Sequence, residues 1–187
     1  KKYWDLYNEK DIELATNRFQ PENAPDESMH KYGELRKYTN IPSDFNVDVP
    51  DTTQKKLIHG YYACVSYIDA EIGKLIKHLK KLDIYENSII VLWGDHGWQL
   101  GEHNLWAKHC NYQTSLKVPL LIKYPEQKKQ KRINTVVELL DIYPTLCDLS
   151  NIKKPKHLQG KSLLSINNSD PKNLYGYSKY HRGETVT

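Results

Sequence analysis

The sequence predicts an α/β fold, because one long amphipathic helix is followed by short runs that have the composition of buried strands. Apolar residues recur in steps of three and four from Thr52 or Thr53 to about Leu82, which is the periodicity of a helix with one buried stripe. The runs 88–93 and 118–124 are mainly apolar and contain several β-branched residues, as strands covered on both faces do. Helices that alternate with such strands indicate layers of helices on a sheet.

Length and composition are those of one folded domain with little net charge. The chain has 187 residues, of which 39% are hydrophobic, and a formal net charge of +4. This small excess of Lys and Arg gives no argument for a nucleic-acid partner. No apolar run is long enough to span a membrane, and no signal peptide is recognisable in this chain. The cysteines Cys64, Cys110 and Cys147 lack Cys-x-x-Cys spacing, so neither a disulfide framework nor a zinc knuckle is predicted.

Residues 1–50 predict a loop-rich segment that wraps over a neighbouring surface. This segment contains four Pro and many polar residues, together with aromatic and aliphatic side chains that need a surface to pack against. A short helix is predicted within it, at about Met29–Tyr38. Long loops inside a compact domain are usually functional or poorly ordered.

The elements after the two strands are less regular. The basic stretch Lys128–Arg132 predicts a solvated loop. A helix is predicted from about Thr135 to Leu149, and Pro144 inside it should kink the helix or divide it in two. The run Leu174–Ser178 predicts a last strand.

The stretch Trp93–Lys108 holds the residues most suited to catalysis or ligand binding, because polar and ionisable groups begin directly after the first predicted strand. In open α/β sheets that edge is where ligands bind. Asp95 offers a hard anionic oxygen suited to Ca²⁺ or Mg²⁺, and His96 offers an imidazole. Position alone leaves other interpretations open: Asp95 as a helix cap or turn residue, and His96 as a structural hydrogen-bonding residue.

Four further side chains of this stretch are candidates for contact with an anionic substrate. His103 and Lys108 could meet a dianion, while Trp98 and Trp106 could stack on a sugar. The structural alternatives are surface exposure for Lys108 and simple packing for both tryptophans. The concentration of all these residues in one loop past a strand favours the functional interpretation.

The order and spacing of these residues resemble a known family. Gly-Asp-His-Gly-Trp at 94–98, Leu-Gly-Glu-His at 100–103 and Trp-Ala-Lys at 106–108 are similar to a signature region of the type I sulfatases, in the alkaline phosphatase superfamily. The branch that contains iduronate-2-sulfatase is the most similar. Residues 61–73, 118–120 and 137–146 resemble that branch in its long helix, its following strand and its next helix.

The resemblance implies an alkaline phosphatase-like α/β/α sandwich with a mostly parallel central sheet. It implies that Asp95 and His96 are ligands of a divalent metal, normally Ca²⁺ in this family. Lys108 would bind the sulfate group and act in catalysis together with His103, while Trp98 and Trp106 would shape the substrate pocket.

The resemblance also implies that this chain is part of a larger catalytic domain. A type I sulfatase uses a formylglycine nucleophile made in a Cys-x-Pro-x-Arg motif, and none of the three cysteines here stands in that context. We therefore expect residues 1–187 to be a partial domain, with 1–50 as a substrate-side segment and 51–187 as a helix–strand core carrying the metal-site loop 94–108. The isolated chain should be inactive, with sheet edges unpaired, until the rest of the sulfatase chain completes the fold and the site.

The function predicted on this basis is hydrolysis of the sulfate ester of a sulfated sugar or glycosaminoglycan. A phosphodiesterase or phosphonate monoester hydrolase of the same superfamily is an alternative. A non-catalytic module that binds zinc or a polyanion is another, based on the basic stretch Lys128–Arg132 and on a group of possible ligands, His96, His103, His109 and Cys110. A sulfatase of this type is expected in the periplasm or outside a bacterial cell, or in the lysosome of a eukaryote.

Overall fold

The structure is a computed structural model, and it describes residues 1–30, 33–44, 46–166 and 175–180. The described residues form two compact units, one of Lys1–Tyr85 with Trp93–Leu120 and Tyr180, and one of Glu86–Leu92 with Leu121–Lys179. Helices and small sheets are both present, as an α/β fold requires. The helices are α1 (Asp51–Lys81), α2 (Gln113–Leu116) and α3 (Ile142–Leu149), and the strands are β1 (Ile90–Trp93), β2 (Gln99–Leu100), β3 (Trp106–Ala107) and β4 (Leu120–Lys123).

The N-terminal segment, residues 1–50, wraps over α1 as predicted. The ring of Trp4 stacks on His59 of α1 with a centroid separation of 3.8 Å. The His59 side chain also hydrogen-bonds through Nε2 to the Trp4 carbonyl oxygen, at 2.8 Å. A few residues later, the Tyr7 and Ser66 hydroxyls are 2.6 Å apart. These contacts fix the segment along the first half of the helix.

The prediction of a short helix at about Met29–Tyr38 is wrong. The described residues of that interval contain only a 3-10 turn, Leu35–Lys37, and another such turn, Asp26–Ser28, precedes it. A short helix gains little by itself in water. Here Tyr38 is extended and is followed by a turn, in which the Ile41 N–H group donates to the Tyr38 carbonyl oxygen at 3.1 Å. This path lets both Leu35 and Ile41 enter the core, each 7% exposed.

The core of the first unit joins this N-terminal segment, α1 and strand β3. It is a cluster of buried side chains in which Trp106 is 1% exposed and Ile58 of α1 is 4% exposed. The remaining members come from the N-terminal segment, and they are Ile12, Leu35, Ile41 and Val49. The predicted loop-rich segment therefore supplies most of the core of this unit.

Helix α1 begins at Asp51, one residue before the first of the two threonines predicted to cap it, Thr52 and Thr53. Pro50 is the N-cap residue, and its carbonyl oxygen accepts the backbone N–H groups of Thr53 and Gln54 at 2.8 and 2.9 Å. Asp51 in the first turn places negative charge beside the positive end of the helix dipole. Among the described residues, no helix is both long and apolar enough to cross a bilayer.

A large part of the apolar stripe of α1 faces solvent in this chain. Val65 and Ile68 are each 53% exposed, and Leu75 is 57% exposed. The buried residues of the helix are confined to its first half, and they are Gln54, Ile58, His59 and Ala63. An exposed apolar face of this kind is typical of a surface that another part of a protein covers.

The sheet of the second unit consists of β1 paired with β4. The prediction that both runs are fully buried strands is wrong, because Leu92 is 38% exposed, Trp93 49% and Leu121 58%. A sheet of two strands has neither further strands at its edges nor a complete covering layer. Among the described residues this sheet has two strands, and the expectation that its edges are unpaired stays a prediction.

Helix α3 is shorter than predicted, because its start lies at Ile142 instead of Thr135. Pro144 therefore sits in the first turn, where its missing N–H group has no intrahelical partner to lose. Glu138 and Asp141 form a capping box on the 3-10 turn Leu139–Asp141, which leads directly into the helix. The predicted strand at 174–178 is not observed over Tyr175–Ser178, and Leu174 lies outside the described residues.

Two isoleucines on α1 provide a test of where the core lies. Ile58→Ala should lower the free energy of unfolding by about 2–4 kcal/mol, because it removes a buried side chain and leaves a cavity. Ile68→Ala on the exposed stripe should cost less than about 1 kcal/mol. Urea unfolding of the two variants measures both values, and equal losses would contradict the described core.

Candidate active site

The loop after β1 is held by close backbone contact with helix α2. The backbone N–H groups of Gly97 and Trp98 donate to the carbonyl oxygens of Ser115 and Thr114, at 2.8 and 2.9 Å. A Cβ atom on Gly97 would overlap the Thr114 carbonyl oxygen. Only glycine permits this approach, which determines how the loop leaves the strand.

A short antiparallel ladder then folds the chain back on itself. Strands β2 and β3 pair with Gln99 opposite Ala107, so Trp98 and Lys108 are brought next to each other just outside the ladder. The Lys108 Nζ atom lies 5.4 Å from the centroid of the Trp98 ring, within the range of a cation–π contact. Gly101, with a φ of +111°, allows the turn between the strands.

Gln99 ties the ladder to the chain that follows it. Its side chain is fully buried, and Nε2 contacts Thr114 Oγ1, Cys110 Sγ at 3.2 Å and Ser115 Oγ at 3.3 Å. A buried amide with several partners of this kind specifies one arrangement of the loop. No sequence pattern indicates this role, because a single Gln beside a glycine-rich loop is not a recognisable motif.

Asp95 and His96 occupy the start of the loop and contact each other. The Asp95 side chain is 84% exposed, its Oδ1 accepts the backbone N–H of His96 at 3.0 Å, and its Oδ2 is 3.6 Å from His96 Nε2. His96 Nδ1 is 2.8 Å from the carbonyl oxygen of Gly97. Because a carbonyl only accepts, Nδ1 carries a proton, and in the neutral ring Nε2 is the nitrogen left to bind a metal.

These two donors do not by themselves fit a calcium ion. Ca²⁺ takes about 6–8 oxygen ligands, whereas this pair offers one carboxylate and one imidazole. No group of three His, Cys, Asp or Glu side chains comes together as metal ligands within the described ranges. Cys110, one of the candidate zinc ligands, is hydrogen-bonded to Gln99 and Ser115.

Lys108 and His109 share one carboxylate, that of Glu34 in the N-terminal segment. Glu34 Oε1 is 3.5 Å from Lys108 Nζ, and Oε2 is 2.6 Å from His109 Nε2. Each of the three side chains is 30–35% exposed and is therefore partly shielded from water. Burial raises the pKa of Glu34, but the hydrogen bond from His109 and the nearby charges of Lys108 and His109 together hold this pKa below its ordinary value of 4.5.

Aromatic side chains surround this charged group. The Trp98 ring stacks against His96 with a centroid separation of 5.9 Å and against Tyr61 at 6.5 Å. A cleft of about 220 Å³ opens beside it, with Trp98, Trp106 and Glu34 in its lining. The other lining residues are mostly apolar, and they are Leu35, Tyr38, Leu57, Tyr61, Cys64, Leu100 and Ala107. The two tryptophans predicted to shape a pocket thus border the same cleft.

Trp106 also belongs to the core, where its side chain is 1% exposed. Its Nε1 atom is buried and finds no hydrogen-bond acceptor within the part of the chain that the structure describes. Leaving such a donor unpaired costs about 1–3 kcal/mol. A ligand oxygen that reached this nitrogen would recover that free energy.

His103 is held by the N-terminal segment. Its backbone has a φ of +55°, and its N–H group donates to the Asn17 carbonyl oxygen at 2.8 Å. The ring is 3.2 Å from the Phe19 carbonyl oxygen through Nδ1 and lies 4.7 Å from the Tyr112 ring. A catalytic role for His103 stays a prediction, and the structure shows a well-anchored side chain.

Sequence reasoning missed Glu34, and it considered His109 only as a metal ligand. The contacts that Glu34 makes are with residues 74 and 75 positions later in the chain, so no local pattern can predict them. His109 did have one signal, which is its position directly after the predicted sulfate-binding Lys108.

Comparison with known proteins gives consistent results. The family model described as Sulfatase matches residues 8–152. The chain is 41% identical over 128 residues to a sulfatase of Formosa agariphila, covering 67% of this chain and 25% of the relative. It is 26% identical to iduronate 2-sulfatase of Homo sapiens, covering 100% of this chain and 43% of the relative. The chain therefore spans less than half the length of these two relatives.

Solved structures agree with the fold class. The phosphonate monoester hydrolase SpPMH from Silicibacter pomeroyi matches with a TM-score of 0.69 at 26% identity, covering 87% of this chain and 33% of that protein. A protein solved in complex with its substrate, D-glucosamine-2-N,6-O-disulfate, matches with a TM-score of 0.52 at 30% identity, covering 61% and 24%. The structural neighbours are alkaline phosphatase-like sulfatases and phosphonate hydrolases, which confirms the predicted fold class.

Two glycines test the backbone contact that shapes the loop. Gly97→Ala should lower the free energy of unfolding by about 2 kcal/mol or more, because its Cβ atom would push helix α2 away. Gly73→Ala, in α1 with no atom near the added methyl group, should raise it by about 1 kcal/mol. Thermal or urea unfolding distinguishes the two, and a neutral Gly97→Ala variant would contradict this geometry.

The lowered pKa of Glu34 predicts a pH-dependent contribution to stability. Glu34→Gln should cost no more than about 1 kcal/mol, since the side chains are a third exposed. That cost should be complete above about pH 5 and should vanish as the pH falls through the folded-state pKa, where the carboxyl is protonated in both states. Urea unfolding between pH 3 and 7 measures it, with exposed Glu27→Gln as the control. A difference that persists at pH 3 would contradict the assignment.

Proposed function

Because the chain belongs to the sulfatase family, we propose that the full-length product of its gene hydrolyses sulfate esters of a sulfated sugar or glycosaminoglycan. The observation that carries this proposal is the loop 94–108, which holds an exposed carboxylate, a tryptophan that lines a cleft and a lysine ammonium over the ring of that tryptophan. The match to the family model includes the whole of this loop.

In this proposal, Lys108 binds the sulfate group. Its ammonium is held between the Glu34 carboxylate and the Trp98 ring, and it keeps N–H groups that a sulfate oxygen could accept. Positive charge fixed at this position stabilises the negative charge that develops on the ester and leaving-group oxygens during sulfuryl transfer. His103 and the two tryptophans would border the bound substrate.

Asp95 would contribute one oxygen ligand, and His96 through Nε2 a second ligand, to a Ca²⁺ site that needs further ligands from the rest of a sulfatase chain. A cation bound there would supply charge that lowers the pKa of a nucleophile and polarises the sulfate. We place the formylglycine nucleophile outside these residues too, because Cys64, Cys110 and Cys147 all lack the Cys-x-Pro-x-Arg context. The rest of a sulfatase chain is therefore required for both the metal and the nucleophile.

A sulfated carbohydrate suits the cleft better than an extended apolar ligand does. Aromatic rings in its lining can stack on the faces of sugars, and the lining residue Glu34 is contacted by Lys108 and His109. One relative is named for iduronate 2-sulfate, and one structural neighbour was solved with a disulfated glucosamine. We propose the periplasm or the cell exterior as its location in a bacterium, or the lysosome in a eukaryote.

Phosphonate monoester hydrolysis is the second candidate, and the structural match to SpPMH favours it. The same loop could serve either reaction, since a phosphonate ester and a sulfate ester are both tetrahedral and anionic. The family model and the named relatives favour the sulfatase activity.

Turnover by the full-length protein tests this proposal. We expect hydrolysis of 4-nitrophenyl sulfate to exceed that of an aryl phosphonate monoester. Lys108→Ala should lower kcat about 10²–10³-fold, as loss of a charge-stabilising donor does. Lys77→Ala, an exposed lysine on α1, is the matched control. Faster turnover of the phosphonate would support the second candidate, and unchanged kcat in Lys108→Ala would contradict the role of the lysine.

The 187-residue chain alone should not turn over 4-nitrophenyl sulfate, because it holds neither the nucleophile nor a complete set of metal ligands. Equilibrium dialysis against Ca²⁺ should show weak binding that Asp95→Asn weakens further. Measurable turnover by this chain would contradict the division of the site between it and the rest of the protein.

A further inference from the structure

We propose that Glu34 is a positioning residue, which holds the Lys108 ammonium against the Trp98 ring at the rim of the cleft and so directs it toward a bound anion. The consequence for turnover rests on the proposed function. The position of the lysine itself can be tested without any activity.

The first support is the geometry of the shared carboxylate. Each oxygen of Glu34 has its own partner, His109 Nε2 at 2.6 Å and Lys108 Nζ at 3.5 Å. The tight contact with His109 fixes the plane of the carboxylate, and the second oxygen then faces the lysine. Lys108 has four rotatable side-chain bonds, so a fixed acceptor on one side and an aromatic ring on the other restrict its ammonium.

The second support is that Glu34 stands on a rigid piece of the N-terminal segment. The next residue, Leu35, is 7% exposed in the core, and Arg36 beside it is 6% exposed. Arg36 donates from Nη1 to the Pro42 carbonyl oxygen and from Nη2 to that of Val47, each at 2.7 Å. The backbone that carries Glu34 is thus anchored on its C-terminal side, which is the requirement for a residue that positions another.

The third support is the number of hydrogen-bond donors that remain. An ammonium has three N–H groups, and Glu34 accepts at most one or two of them through Oε1. At least one donor is left for a ligand, and Glu34 and Trp98 together determine where it points.

Nuclear magnetic resonance of the chain labelled with ¹³C-lysine tests this position directly. The Lys108 methylene protons near the nitrogen should be shifted upfield by the Trp98 ring, and Lys108→Arg assigns the signal by its loss. In Glu34→Gln the signal should move toward that of an exposed lysine such as Lys77. In Glu27→Gln, which removes the same charge from an exposed site in the same segment, it should not move.

Retention of the upfield shift in Glu34→Gln would overturn the proposal. If that variant does not fold, Glu34→Asp decides, because it keeps the charge and the backbone but withdraws the carboxylate from the lysine. The signal should then also move toward that of Lys77, and an unchanged position would overturn the proposal as well.

Kinetics of the full-length protein test the consequence. Glu34→Gln should lower kcat about 10–100-fold with a smaller change in KM, because the lysine is displaced and not removed. A rise in turnover would instead show that Glu34 competes with the substrate, and would overturn the proposal. If the wild-type protein turns over neither ester, the proposed function fails, and the lysine signal still decides the role of Glu34.

Discussion

The pairing of two very short strands is the constraint on which the candidate site depends. With only Gln99–Ala107 and Leu100–Trp106 in register, the ladder turns the chain through a full reversal and sets Trp98 beside Lys108. A ladder this short cannot hold itself together in water. It persists because it is packed among the most buried of the described residues: Gln99 and Trp106 of the ladder are 0% and 1% exposed, and the adjacent Leu105 is 0% exposed. Packing beneath the loop therefore determines the chemistry on its surface.

That packing comes mostly from the N-terminal segment, which has no α-helix or strand among its described residues. Its side chains enter the core, its carbonyl groups hold His103, and its Glu34 reaches Lys108. The N-terminal segment thus supports the loop through the core and also contacts its side chains directly. The irregular path of the segment suits these separate contacts, because a regular helix brings only residues three or four positions apart onto the same face.

Sequence reasoning succeeded where the signal was local. The periodicity of α1, the apolar runs of β1 and β4, and the sulfatase resemblance of 94–108 are all readable within about twenty residues, and the family match agrees with them. It failed where tertiary context decided the outcome. The strands are exposed because no layer among the described residues covers them, and the predicted short helix is replaced by a path that buries both Leu35 and Ile41. Glu34 was missed because its partners lie 74 and 75 residues away.

The same long separations have a kinetic meaning. The contacts that join the N-terminal segment to α1 and to the loop link residues 59, 84 and 75 positions apart, at Tyr7–Ser66, Ser28–Tyr112 and Glu34–His109. Closing such loops costs chain entropy before the contacts that compensate for it can form. The hydrogen bonds of α1, in contrast, join residues only four positions apart. Helix α1 is thus available early in folding as a template. The environment of Lys108 is assembled late, when the segments that precede and follow α1 in the sequence have docked against each other.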